Sequence, residues 1–127
     1  MSQDPVESNP EHYRVVFEND RVRVLEYRDA PGQRTAAHYH PDSVMITASA
    51  FRRRLQSEGR QLDLDMPAFA VRWLSAQEHS GENIGATDTR AFFVELKEPA
   101  PGAAGAARDG GPARDGGPVL GPDAPED

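Results

Sequence analysis

Apolar and polar positions alternate along this chain in short runs, and the period is two rather than three to four. Val22, Val24 and Glu26 interleave with Arg23, Leu25 and Tyr27, which is the signature of a strand. Val44 to Ala50 is a run of β-branched and small residues. Phe51 to Gln56 and Gln61 to Asp65 flank Ser57-Glu58-Gly59-Arg60, a glycine-containing turn that predicts a hairpin. Ala68 to Leu74 and Arg90 to Leu96 are two more apolar runs of strand length. Glu18-Asn19-Asp20 and Ala30-Pro31-Gly32-Gln33 punctuate the strands as turns. No segment carries a sustained helical stripe. Several short strands at close spacing predict an all-β sandwich or barrel, a single domain over residues 13–97.

The pattern stops on both sides of that stretch. Residues 1–12 are polar and acidic and are expected to be flexible. From Glu98 onward Gly, Pro and Ala dominate, and Ala107-Arg-Asp-Gly-Gly-Pro112 repeats as Ala113-Arg-Asp-Gly-Gly-Pro118. Such a segment buries too little apolar surface to offset its chain entropy, so residues 98–127 are expected to be a disordered tail without chemistry of its own.

Composition narrows the function classes. The chain has 127 residues and no cysteine, which leaves room for one domain and excludes disulfides, thiolate metal sites and cysteine nucleophiles. Net charge is −7, of which −3 falls on residues 1–97 and −4 on residues 98–127. Neither part offers the basic footprint of a nucleic-acid binder. Arg52-Arg53-Arg54 is the one basic cluster, and it reads as a solvated strand face. No apolar run approaches the roughly 20 residues that span a bilayer, and the N-terminus has no leader pattern, so the expected location is the cytoplasm. Ser43 and Ser49 have no histidine and acid partners at a recognisable spacing, so serine hydrolase chemistry is not indicated.

The candidate chemistry lies in the histidines, His12, His38, His40 and His79. Residues two apart on a strand share a face, so the imidazoles of His38 and His40 lie side by side and can converge on one ion. The same spacing also occurs on solvent-facing strands. Tyr39, between them, points outward. His12 precedes the first strand and is expected to be exposed. Trp73 is expected in the core, and Glu95 on the solvent face of its strand. Gln77 and Glu78, just before His79, are placed to orient a ligand or meet a substrate.

The flanks of the histidines add a resemblance. Gly32-Gln-Arg-Thr-Ala-Ala-His38-Tyr-His40 reads G-x5-H-x-H, and His79-Ser-Gly-Glu-Asn83 reads H-x3-N. Separated by a hairpin, these two blocks resemble those of the cupin superfamily, and the stretch from Tyr13 to Lys97 resembles a small bacterial cupin throughout. The resemblance implies a jelly-roll barrel with a metal inside it, held by His38, His40 and His79, with Asn83 stabilising a turn. The chain departs from the common pattern in two ways. Where a glutamate usually follows the second histidine, the slots hold Val44 and Met45, with Ser43 and Asp42 beside them. Phe69, Ser75 and Gln77 stand where the second block usually has glycine, proline and glycine.

Three protein ligands with open positions are the arrangement of a catalytic metal rather than a structural one. Imidazole suits iron, zinc, copper and nickel. The three-histidine acetylacetone and cysteine dioxygenases are similar at the level of ligands and use ferrous iron with O₂. The first expectation is therefore an Fe(II) dioxygenase-type enzyme acting on a small molecule. A zinc or nickel isomerase, cyclase or lyase is the second, and a non-catalytic metal or small-ligand binding module the third. A homodimer is expected, because a sandwich of this size exposes sheet edges that need cover, with contact around Tyr13 to Phe17.

Overall fold

The computed structural model describes residues 3–98 and 120–123. A short helix, α1 (Pro5–Ser8), precedes nine strands: β1 (Tyr13–Glu18), β2 (Val22–Asp29), β3 (His38–His40), β4 (Ser43–Thr47), β5 (Phe51–Ser57), β6 (Arg60–Met66), β7 (Val71–Leu74), β8 (Gln77–Asn83) and β9 (Thr89–Leu96). They form two antiparallel sheets, one ordered β1-β2-β9-β4-β7 and the other β3-β8-β5-β6. The expected all-β sandwich is present. The β5–β6 hairpin turns at Glu58-Gly59, both at positive φ, as its sequence predicts.

The inward faces of the two sheets enclose a thin core of Tyr13, Leu25, Tyr27, Met45, Phe51, Met66, Ala70, Leu74, Ala91 and Phe93. Polar side chains share that interior, and each is paired, as burial requires. Asp29 accepts from Arg53 at 2.6 Å and from Asn83 at 3.0 Å, and the Tyr27 hydroxyl donates to it as well. The Arg53 guanidinium lies 4.9 Å from the centre of the Tyr27 ring. Burial alone would raise the Asp29 carboxyl, but the Arg53 charge and these donors hold it below its ordinary value. Removing one partner of such a pair typically costs about 3–5 kcal/mol.

Several placements differ from the sequence reading. Arg53 faces inward with Phe51 and Leu55, while Arg52 is exposed, so the basic cluster is split between core and solvent. Trp73 is 38 % exposed, because it alternates with the buried Leu74 on β7 and so takes the outer face of the sheet. His12 is buried, its Nδ1 set 2.9 Å from the carbonyl of Arg28. Phe69 is exposed at φ +62°, a left-handed conformation that favours glycine and costs other residues about 1–2 kcal/mol. Thr47 keeps it there by accepting the Phe69 N–H on its carbonyl and the Ala70 N–H on its hydroxyl.

The flanking segments also depart from expectation. From Gln3 on, the N-terminus is folded: Asp4 caps α1, Pro5 is buried, and the carbonyl of Gln3 accepts the N–H of Tyr39. Of the stretch expected to be a disordered tail, residues 99–119 and 124–127 lie outside the described residues. Leu120–Asp123 do not follow that expectation and pack on the sandwich. Gly121 is buried and Asp123 donates its N–H to the carbonyl of Trp73. Composition favoured disorder there, but the two open sheet edges provide apolar and hydrogen-bonding partners that composition does not reveal.

Candidate metal centre

The site begins with a register. β3 and β8 pair antiparallel so that His38 faces His79 and His40 faces Gln77. The alternation on β3 sends His38 and His40 inward and Tyr39 out, the last 46 % exposed. The three rings stand 4.9–5.2 Å apart, centre to centre. All three are buried, and one nitrogen from each lies within 4.8 Å of the other two. The structure thus brings together the three histidines singled out in the sequence and leaves His12 outside the cluster.

Hydrogen bonds determine which nitrogens are available. The Nδ1 of His38 lies 2.8 Å from the carbonyl oxygen of Ala36. The Nδ1 of His40 lies 3.2 Å from a carboxylate oxygen of Glu95. The Nδ1 of His79 lies 2.8 Å from the side-chain oxygen of Gln77. Each partner oxygen is an acceptor, so each imidazole carries its proton on Nδ1 and leaves the Nε2 lone pair free. Metal-ligating histidines are oriented in this way. The Nε2 atoms of His38 and His40 both face the Tyr13 hydroxyl, at 3.2 and 3.3 Å.

Each of these acceptors is itself held. Asn9 clasps Ala36 from both sides, accepting its N–H at 2.7 Å and donating to its carbonyl at 3.2 Å. Arg23 donates to Glu95 at 2.9 Å and to Asp4 at 2.6 Å. Gln77 cannot flip its amide: its nitrogen donates to the carbonyls of Ser75 and Gly121, and its oxygen accepts the N–H of Gly121.

Electrostatics keeps the three imidazoles neutral. Burial lowers His38, and it lowers His40 and His79 far below the ordinary imidazole value, with the neighbouring imidazoles adding to the effect in the last two. Burial raises Tyr13 well above the usual phenol range, so its hydroxyl stays protonated. Burial also raises Glu95, against the pull of Arg23.

One reading from sequence needs correction here. Glu95, expected on the solvent face, is buried beside His40; the inward face of β9 is Thr89, Ala91, Phe93 and Glu95. Phe92, Val94 and Leu96 make the opposite face equally apolar, so alternation alone could not select the right parity. Asn9 and Tyr13 were not recognised as site residues, since neither sits near the histidines in sequence. Of the positions considered for a carboxylate, Met45 points inward and lines the same small cavity as His38 and His79, while Ser43 is buried with its hydroxyl donating to the carbonyl of Pro41. Asp42 instead accepts the N–H of Ala76, tying together two loops far apart in sequence. Gln77 is the residue before His79 that orients it, whereas Glu78 is exposed and accepts from Gln3. Asn83 holds a turn as expected, accepting the N–H of Gly85 and donating to the carbonyl of Thr87.

No family model matches this sequence, and no curated protein matches it. Solved structures do. A cupin domain from Bordetella pertussis superimposes with a TM-score of 0.63 at 24% identity, covering 68% of this chain and 92% of that one. A conserved protein with a double-stranded β-helix domain from Klebsiella pneumoniae gives 0.55 at 24% identity, covering 66% and 74%. An RmlC-like cupin family protein from Methanocaldococcus jannaschii gives 0.52 at 11% identity, covering 66% and 77%. The chain therefore has the cupin fold, a double-stranded β-helix, with a buried cluster of three histidines able to hold a divalent metal.

The donor set predicts how the cluster responds to substitution. Replacing His38, His40 or His79 singly by Ala should abolish stoichiometric metal uptake in a calorimetric titration, whereas His12→Ala should not change it. Gln77→Leu should weaken binding by about 10–100-fold, the usual loss when an orienting partner is removed. Met45→Glu should tighten it by supplying a carboxylate.

Stability should follow the buried imidazoles as well. Their folded-state values lie below the roughly 6.5 of an unfolded chain. Below about pH 6.5 the unfolded state therefore takes up protons that the native state refuses, at up to about 1.4 kcal/mol per pH unit for each group. Glu95, being raised, works in the opposite direction. Metal-free protein should thus show a denaturant midpoint that falls steadily from pH 7.5 to 5.5. A flat profile would mean that the imidazoles are protonated in the fold.

Proposed function

We propose that this chain is a metal-dependent cupin acting on a small molecule, and that its chemistry is that of an Fe(II) dioxygenase. The observation that carries the reading is the hydrogen-bonding state of the site: three buried, convergent imidazoles, each with Nδ1 set against an acceptor oxygen, and two of them with Nε2 turned to the Tyr13 hydroxyl. His38, His40 and His79 would hold the ion. Bound there, ferrous iron supplies a redox-active Lewis acid whose double positive charge is not reduced by its three neutral donors. Tyr13, protonated and facing the same point, can donate a hydrogen bond to a molecule placed there. The uncancelled charge of such an ion would favour an anionic substrate that chelates through oxygens, Arg53 on the same inner wall being already paired with Asp29.

Metal analysis of protein purified without an affinity tag tests this directly. Close to one equivalent of iron, with oxygen consumption on addition of a small oxygen-chelating acid, is the expected result. Zinc or nickel without oxygen uptake would replace it by Lewis-acid isomerase, cyclase or lyase chemistry. A site that takes up no metal would sink the reading.

We also propose a homodimer built on β1. That strand ends its sheet, and Val15, Val16 and Phe17 on it are exposed, an edge that soluble β-proteins usually cover. Light scattering at micromolar concentration should give twice the chain mass, and Phe17→Glu should halve it. A monomer mass for the unaltered protein would refute the proposal.

A further inference from the structure

The C-terminal residues Leu120–Asp123 occupy a place that the metal reading leaves unexplained. They lie between the free edges of the two sheets. Gly121 packs against Leu62, Leu55 and Leu64 of β5 and β6, and the N–H of Asp123 bonds to Trp73 on β7. Pro122 lines the interior cavity together with His38 and His79. Gly121 also makes two hydrogen bonds to the Gln77 amide, donating at 2.7 Å and accepting at 3.2 Å.

Two consequences follow from that placement. The first concerns space. With the segment in place the cavity beside the histidines measures about 40 Å³, room for a water molecule or two. Pockets that take small molecules are usually about 300–1,000 Å³, so this interior must open before a substrate can enter. The second concerns orientation. The Gly121 N–H and carbonyl grip both ends of the Gln77 amide, whose oxygen accepts from Nδ1 of His79. Docking of the segment is thereby coupled to the aim of one ligand.

We propose that Leu120–Asp123 is a built-in gate. Docked, it closes the barrel over the histidines and locks Gln77 onto His79; displaced, it opens the way to the metal and loosens that lock. A substrate and the docked segment compete for the same interior, so substrate affinity is reduced by the free energy of docking. The proposal rests on reading the three histidines as a metal centre, and its test separates the two.

The geometry suggests the variants. Gly121 has φ +84°, and a Cβ there would meet the Leu62 side chain at 2.7 Å, so Gly121→Val should undock the segment. Pro122→Asp should do the same by placing a charge in an apolar cavity. Both are made in the full chain. The first readout is the rate at which excess EDTA strips zinc from the loaded protein. Each variant should release zinc about tenfold faster or more, as expected when a closed form is opened, and a rate equal to that of the unaltered protein would overturn the gate. The second readout needs no metal: binding of the dye ANS to the apo protein, with emission of the single Trp73 reporting undocking. Both variants should bind more dye and shift that emission, and unchanged signals in both would overturn the gate. If the unaltered protein takes up no zinc, the metal reading fails and the gate is decided by the dye and Trp73 alone.

Discussion

Three imidazoles must be kept neutral and aimed at one point inside a closed sandwich, and most of the polar architecture serves that constraint. A buried imidazole has two nitrogens, and one of them needs an acceptor if the other is to stay free. The fold supplies three different acceptors: a backbone carbonyl at Ala36, a carboxylate at Glu95 and an amide oxygen at Gln77. Each is then fixed by a further residue, Asn9, Arg23 and Gly121 respectively. The chain ends become part of the site in this way. Asn9 and Asp4 come from before the first strand, and Gly121 from beyond the last.

This arrangement puts many polar groups in the interior. Asp29, Arg53 and Asn83 form a second buried network next to the histidines. Among the described residues no buried side-chain nitrogen or oxygen lacks a partner, and that condition is what makes such a core tolerable. The same network sets the local charge. The Arg53 cation neighbours His79 and helps keep it unprotonated, while Asp29 compensates that cation on its other side.

Met45, and no carboxylate, lines the cavity beside His38 and His79, and this gives the site its electrostatic character. A glutamate in that inward position would cancel one charge of a divalent ion and occupy one more coordination position. Methionine does neither, and it fills the space with a flexible apolar group. The carboxylate near the centre is Glu95, and it acts one step removed, on Nδ1 of His40. The donor set therefore stays neutral while one of its members is anchored to a charged network reaching Arg23 and Asp4 at the surface.

What the sequence determined by itself was the class of structure and the three histidines that cluster inside it. Period-two alternation with glycine turns specifies strands, because strand side chains alternate strictly between faces. His38-Tyr39-His40 on one strand and His79 on another are legible because i and i+2 share a face. Tertiary structure alone decided three other matters. It chose the parity of β9, which carries apolar residues on both faces, so that a buried Glu95 is compensated by Arg23 and His40. It turned Arg53 inward, where Asp29 from β2 pairs with it. It brought Asn9, Tyr13 and Gly121 to the histidines from 29, 25 and more residues away along the chain. Local pattern reports which face a side chain takes relative to its neighbours. Which distant group completes a hydrogen bond depends on how the sheets close on each other, and no stretch of chain carries that information alone.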